Sequence, residues 1–127
     1  MPTRVLVVED SAQIREELKR ILAGAALDVD VLEAENGIEA LKSLTQNAID
    51  LVLCDVQMPM MDGFQFLRMI RARAEHATTP VIMLTGQGKE EEKVFGLETG
   101  ASDYVTKPAS PAELVARAHG ASLLHVA

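Results

Sequence analysis

A chain of 127 residues is the length of one domain with a single buried core, which leaves no room for a second. With 48% hydrophobic and 24% charged residues it falls outside the composition of intrinsically disordered chains. A net charge of −7 opposes adhesion to nucleic-acid backbones or anionic membranes, so direct binding of this domain to either is not expected.

The one cysteine, Cys54, excludes an internal disulfide and a thiolate-cluster metal site and suits a reducing compartment, so a cytoplasmic location is expected. The first apolar run, Val5 to Val8, stops at Glu9 and is too short for a signal-peptide core. No stretch reaches the roughly 20 apolar residues of a membrane span.

In chain order, short β-rich runs stand at Val5–Val8, Val29–Leu32, Leu51–Cys54, Val81–Leu84 and, more weakly, Tyr104–Val105. Segments with helical spacing separate them. Ile14, Leu18, Ile21 and Leu22 form one stripe at i, i+4, i+7 and i+8, with Ser11 placed to cap the helix and Gly24 to stop it. A second helix is expected from Ile38, Leu41, Leu44 and Ala48. A third follows from Phe64, Leu67 and Ile70, with Arg68, Arg71 and Arg73 turned outward. The fourth covers Glu90 to Glu98. The fifth starts at Pro111, a favoured first-turn residue, and carries Leu114, Val115 and Ala118.

Continuous apolar runs mark strands covered on both faces, and β-α alternation with right-handed crossovers implies a parallel sheet. The expected fold is a doubly wound α/β domain. In such sheets ligands gather outside the carboxyl ends of the strands. The residues there are Glu9 and Asp10 after the first strand, Asp55 after the third, Thr85 after the fourth and Lys107 after the fifth.

Three carboxylates on one edge repel, two of them by roughly 4 kcal/mol at about 4 Å and an effective dielectric near 20. A cation is therefore required. Lys107 supplies part of that charge, and an all-oxygen ligand set with room for water is what Mg²⁺ prefers. A carboxylate beside Mg²⁺, a lysine and a hydroxyl is equipped to accept a phosphoryl group, through positioning and charge stabilisation.

Three segments carry a resemblance: Val5-Leu6-Val7-Val8-Glu9-Asp10, Leu53 to Gly63 with Cys54-Asp55-Val56-Gln57-Met58-Pro59 within it, and Gly100-Ala101-Ser102-Asp103-Tyr104-Val105-Thr106-Lys107-Pro108. In this order they resemble the response-regulator receiver family of two-component signal transduction, over essentially the whole chain. The resemblance implies a five-stranded sheet in the flavodoxin-like order 2-1-3-4-5, with helices on both faces.

It also implies that Asp55 accepts a phosphoryl group from a sensor histidine kinase or phosphotransfer protein. Asp10, Asp55 and the backbone carbonyl of Gln57 would hold Mg²⁺, with Glu9 acting through water. Thr85 and Lys107 would bind the phosphoryl oxygens, Tyr104 would swing inward as Thr85 moves, and the Lys107–Pro108 peptide would be cis. The surface of helix four, strand five and helix five would then change to control an output domain or downstream protein, with a homodimer through that face as one possibility. Such a domain is a regulatory phosphoacceptor rather than an enzyme in the ordinary sense.

Departures from the family pattern are Ala109 where phenylalanine is usual and Gly86 where alanine is common. The apolar, unterminated tail after His119 leads to the expectation that residues 1–127 are one receiver domain, the N-terminal part of a longer response regulator. Two rivals are weaker. A phosphohydrolase of the haloacid-dehalogenase type needs an aspartate where Gln57 stands, and a pseudo-receiver would be expected to have shed some of these charges. The Gly86-Gln87-Gly88-Lys89 run lacks the remaining features of a nucleotide-binding phosphate loop.

Overall fold

In a computed structural model of the protein, residues 3–24, 28–86, 100–106 and 110–126 are described, Thr106 and residues 122–126 by their backbone alone. Five strands, β1 (Thr3–Val8), β2 (Val29–Ala34), β3 (Leu51–Asp55), β4 (Val81–Thr85) and β5 (Asp103–Thr106), form one sheet in the order β2-β1-β3-β4-β5. All four pairings are parallel.

Alternate residues of the central strands feed two separate cores, which is the physical meaning of their unbroken apolar runs. Val5, Val7, Leu51, Leu53, Ile82 and Leu84 pack with Leu18 and Leu22 of α1 (Ala12–Gly24) and with Leu114 and Ala118 of the C-terminal helix (Pro111–Val126). Leu6, Val8, Val52, Cys54, Val81 and Met83 face the other way. Against them lie Ala40 and Leu44 of α2 (Gly37–Gln46) and Phe66, Leu67 and Ile70 of α3 (Gly63–Arg71). No helix among the described residues is long and apolar enough to cross a membrane.

The helix starts follow from their caps. Ser11 Oγ accepts from the Ile14 N–H at 3.3 Å and Asn36 Oδ1 from the Glu39 N–H at 2.9 Å. Asp62 and Gln65 make a reciprocal capping box at the start of α3.

Two helices bury part of the stripe read from the sequence, Leu44 in α2 and Leu67 and Ile70 in α3, and depart from it at other positions. In α2 the buried residues are Gly37, Ala40 and Leu44, while Ile38 is 40% exposed and Ala48 lies beyond the helix end. Gly37, Ala40 and Leu44 stand at i, i+3 and i+7 on one face, and a Cβ at Gly37 would lie 2.7 Å from Met61 Sδ, so the glycine makes room for that side chain. In α3 Phe66 is fully buried, whereas Phe64 packs only partly. Arg71 does not point outward: its guanidinium donates to the carbonyls of Gly100 and His76, both at 2.9 Å. Burial pulls its pKa below the ordinary arginine value. The expected fourth helix, Glu90 to Glu98, lies outside the described residues.

Candidate phosphoryl and metal site

Strand register brings the acids together. Val8 pairs with Cys54, and Asp55 with Leu84. Glu9, one residue past β1, therefore falls at the level of Asp55, and Thr85 closes β4 one step further on. Carboxylate oxygens of Glu9, Asp10 and Asp55 all lie within 4.8 Å of one another. Glu9 and Asp55 are buried and Asp10 is exposed.

Each element of this cluster has a visible mechanical support. The Glu9 N–H donates to the Ala34 carbonyl at 3.0 Å, extending the β1–β2 ladder by one residue. Its carboxylate accepts the Ser11 N–H, also at 3.0 Å, which caps the first turn of α1 with negative charge. Beyond Asp55 the chain is fixed by Val56 N–H to the Leu84 carbonyl at 3.1 Å and by Gly63 N–H to the Val56 carbonyl at 2.8 Å.

Gly63 is required by space. A Cβ there would collide with the Asp55 carbonyl oxygen and lie 2.8 Å from Met83 Cε. The first turn of α3 thus presses directly on the backbone that carries Asp55.

A cavity of about 520 Å³ opens beside the acids, lined by Asp10, Val56, Gln57, Met58, Pro59, Asp62 and Phe64. Unit charges at the separation of these carboxylates repel by roughly 3 to 4 kcal/mol per pair at an effective dielectric near 20, so the cluster favours a divalent cation. The donors are all oxygen and one side of the site is open to water. These are the requirements of Mg²⁺, and Glu9, Asp10 and Asp55 are the residues that could hold it.

On the β4 side stands Thr85. Its Oγ1 is buried and has no hydrogen-bond partner among the described residues. A buried hydroxyl beside a strand-end carboxylate is suited to a phosphoryl oxygen.

Thr85 pairs in register with Thr106 and Met83 with Tyr104. Tyr104 is partly buried against the core beneath α2 and α3. Lys107 and Pro108, expected in the site and at its cis turn, lie outside the described residues, as does Ala109. Cys54 is ordinary core, as its sequence context implied. Burial first, then the charges of Asp55, Glu9 and Asp62, hold its thiol well above the ordinary value, and it donates to the Asp55 carbonyl at 3.4 Å.

The model of the response regulator receiver domain matches residues 5–119. The chain belongs to the response regulator receiver family. It is 45% identical over 117 residues to the phosphate regulon transcriptional regulatory protein PhoB of Klebsiella pneumoniae, an overlap that takes in 92% of this receiver and 50% of that protein. A solved structure from Chloroflexus aurantiacus superposes on the receiver with a TM-score of 0.92 at 36% identity, covering 97% of this chain and 99% of the other. The chemotaxis response regulator CheY4 of Vibrio cholerae does so at 0.87 and 32%, covering 95% and 99%. The receiver spans about half the length of the curated relatives it matches.

One contributor to the site was not legible as such in the sequence. Arg15 is buried on α1, with Nη1 donating to the Glu9 carbonyl at 2.7 Å and to the Asp10 carbonyl at 3.3 Å. The available signal was its spacing: Arg15, Leu18 and Leu22 stand at i, i+3 and i+7, so a cation occupies the apolar stripe of the helix.

Proposed function

We propose that this receiver is a Mg²⁺-dependent switch in which Asp55 accepts a phosphoryl group from a sensor histidine kinase or phosphotransfer protein. The observation that carries the reading is the grouping of Glu9, Asp10 and Asp55 at the carboxyl ends of β1 and β3, beside the buried Thr85 hydroxyl at the end of β4.

In the proposed transfer a carboxylate oxygen of Asp55 forms a bond to phosphorus as the bond from phosphorus to the donor histidine nitrogen breaks. The electron pair stays on the imidazole, which then takes up a proton. Asp55 is the proposed acceptor because it ends β3 next to Val56 and Gln57, which with Asp10 line the cavity that would admit a donor. Asp10, Asp55 and the Gln57 backbone carbonyl would hold the metal, with Glu9 acting through water, and the chemistry it would supply there is to offset charge on the phosphoryl oxygens. Thr85 Oγ1 and the Lys107 ammonium would take the phosphoryl oxygens after transfer.

Movement of Thr85 toward the phosphoryl group frees space that Tyr104 then fills, since both side chains belong to paired strands. The change is passed on through the fourth helix, β5 and the C-terminal helix to an output domain or downstream protein, or to a second copy of the chain. We propose that residues 1–127 are the N-terminal receiver of a longer cytoplasmic response regulator; the support is that the receiver overlaps 50% of PhoB. The output activity is carried elsewhere, and this domain contacts neither nucleic acid nor membrane.

The test is the intact mass of the chain after incubation with Mg²⁺ and acetyl phosphate. A single phosphoryl adduct on the wild type, absent from Asp55→Asn and from wild type with chelator, is expected. Equal labelling of Asp55→Asn overturns the assignment of the acceptor.

A further inference from the structure

The metal cluster has a support that none of its own carboxylates supplies. Arg15 is a buried cation, and its hydrogen bonds reach backward to the loop carrying Glu9 and Asp10 rather than outward to water. Its other nitrogens meet the carboxylates of Glu33 at 3.1 Å and Glu35 at 3.9 Å, on and just beyond β2. Glu33 is itself held by Lys19 at 3.2 Å. The guanidinium is thus a rigid fork between strand β2 and the two carbonyl oxygens at the end of β1.

From this geometry we infer that Arg15 is a positioning residue for the metal: it fixes the peptide planes of Glu9 and Asp10, and so sets where their carboxylates point. The inference rests on the functional reading above. Glu9 is gripped independently at its N–H and at its carboxylate, by Ala34 and Ser11. Asp10 is exposed, and among the described residues Arg15 is the side chain that grips its carbonyl. The peptide between them is therefore the piece most dependent on Arg15.

Outer-shell partners that orient ligating groups change metal affinity by about 10- to 100-fold when removed. A guanidinium reaches two carbonyls and two carboxylates at once through its planar fork, which an ammonium does not reproduce. Arg15→Lys retains the charge and one or two of the contacts.

The experiment is calorimetric titration of Mg²⁺ into wild type, Arg15→Gln and Arg15→Lys, with thermal unfolding of each in the presence of chelator. We expect a Mg²⁺ dissociation constant raised about 10-fold or more in Arg15→Gln and by a smaller factor in Arg15→Lys. Adduct formation from acetyl phosphate should return toward the wild-type rate at saturating Mg²⁺, because the acceptor is intact. A lower melting temperature with unchanged Mg²⁺ affinity would mean that Arg15 only holds the fold, and would overturn the inference. Should Arg15→Gln fail to fold, Arg15→Lys decides: wild-type Mg²⁺ affinity there also overturns it. Absence of Mg²⁺ binding by the wild type instead removes the functional reading beneath it.

Discussion

The carboxyl edge of the sheet has two unlike halves. On the β2-β1-β3 side each step of the chain past a strand end is tied down: Glu9 to Ala34 and Ser11, its carbonyl and that of Asp10 to Arg15, Val56 to Leu84, and Gly63 to Val56. On the β4-β5 side the terminal side chain, Thr85, keeps its hydroxyl buried without a hydrogen-bond partner among the described residues. One half is built to hold a geometry, and the other ends in a buried hydroxyl that no described residue engages and that a new ligand can satisfy. A switch needs both, since a ligand shifts an equilibrium only by what it gains in one state over the other.

The sharpest way to break the comparison is in the fixed half. Gly63→Ala drives a Cβ into the Asp55 carbonyl, a backbone atom that has no rotamer by which to yield. A loss of about 3 kcal/mol in unfolding free energy is expected by denaturant titration. Labelling by acetyl phosphate should weaken with it, even under conditions where the variant is folded. Wild-type stability would show that α3 is free to move away from β3.

In the other half the sign reverses. Thr85→Val replaces the buried hydroxyl with a methyl group of similar shape, so the unmodified domain should gain about 1 kcal/mol. The phosphorylated domain should lose its shape change, read as the difference in hydrogen exchange of β5 with and without acetyl phosphate. Thr85→Ser should keep both properties near wild type. A destabilised Thr85→Val would mean the hydroxyl is satisfied after all.

The smallest effect concerns acid stability. Burial alone would raise the Glu33 carboxyl, but hydrogen bonds and charge from Lys19 and Arg15 outweigh it and leave the pKa below its ordinary 4.5. A carboxyl depressed on folding contributes stability that is present above its unfolded pKa and lost as pH falls through the folded one. Glu33→Gln should therefore flatten the decline of stability below about pH 4.5, modestly because the pair is partly solvated. An unchanged acid limb would remove Glu33 from the chain of contacts behind Arg15.

The architecture was legible because strand burial on both faces leaves an unmistakable pattern, and the strand-end acids fall where a parallel sheet must gather them. Less was legible where two stripes compete. In α2, Ile38 and Ala40 compete for the core beside Leu44, and the fold buries Ala40 while Ile38 is left 40% exposed. Phe64 and Phe66 present the same ambiguity in α3. Among the polar residues, Asp10, Asp55 and Thr85 could be read as chemistry from their positions after strands. The role of Arg15 could not, since its partners are carbonyl oxygens, which every residue carries, and carboxylates eighteen or more positions away.

Cys54 offers an experimental handle of a different kind. Its thiol is buried in the middle of the sheet, hydrogen-bonded to the carbonyl of the residue proposed to be modified. It is also held far from the thiolate form that reacts. An alkylating reagent therefore meets no nucleophile in the closed domain. Any labelling counts openings of β3, which makes the rate of alkylation a clock for the local unfolding of the strand that bears the proposed acceptor.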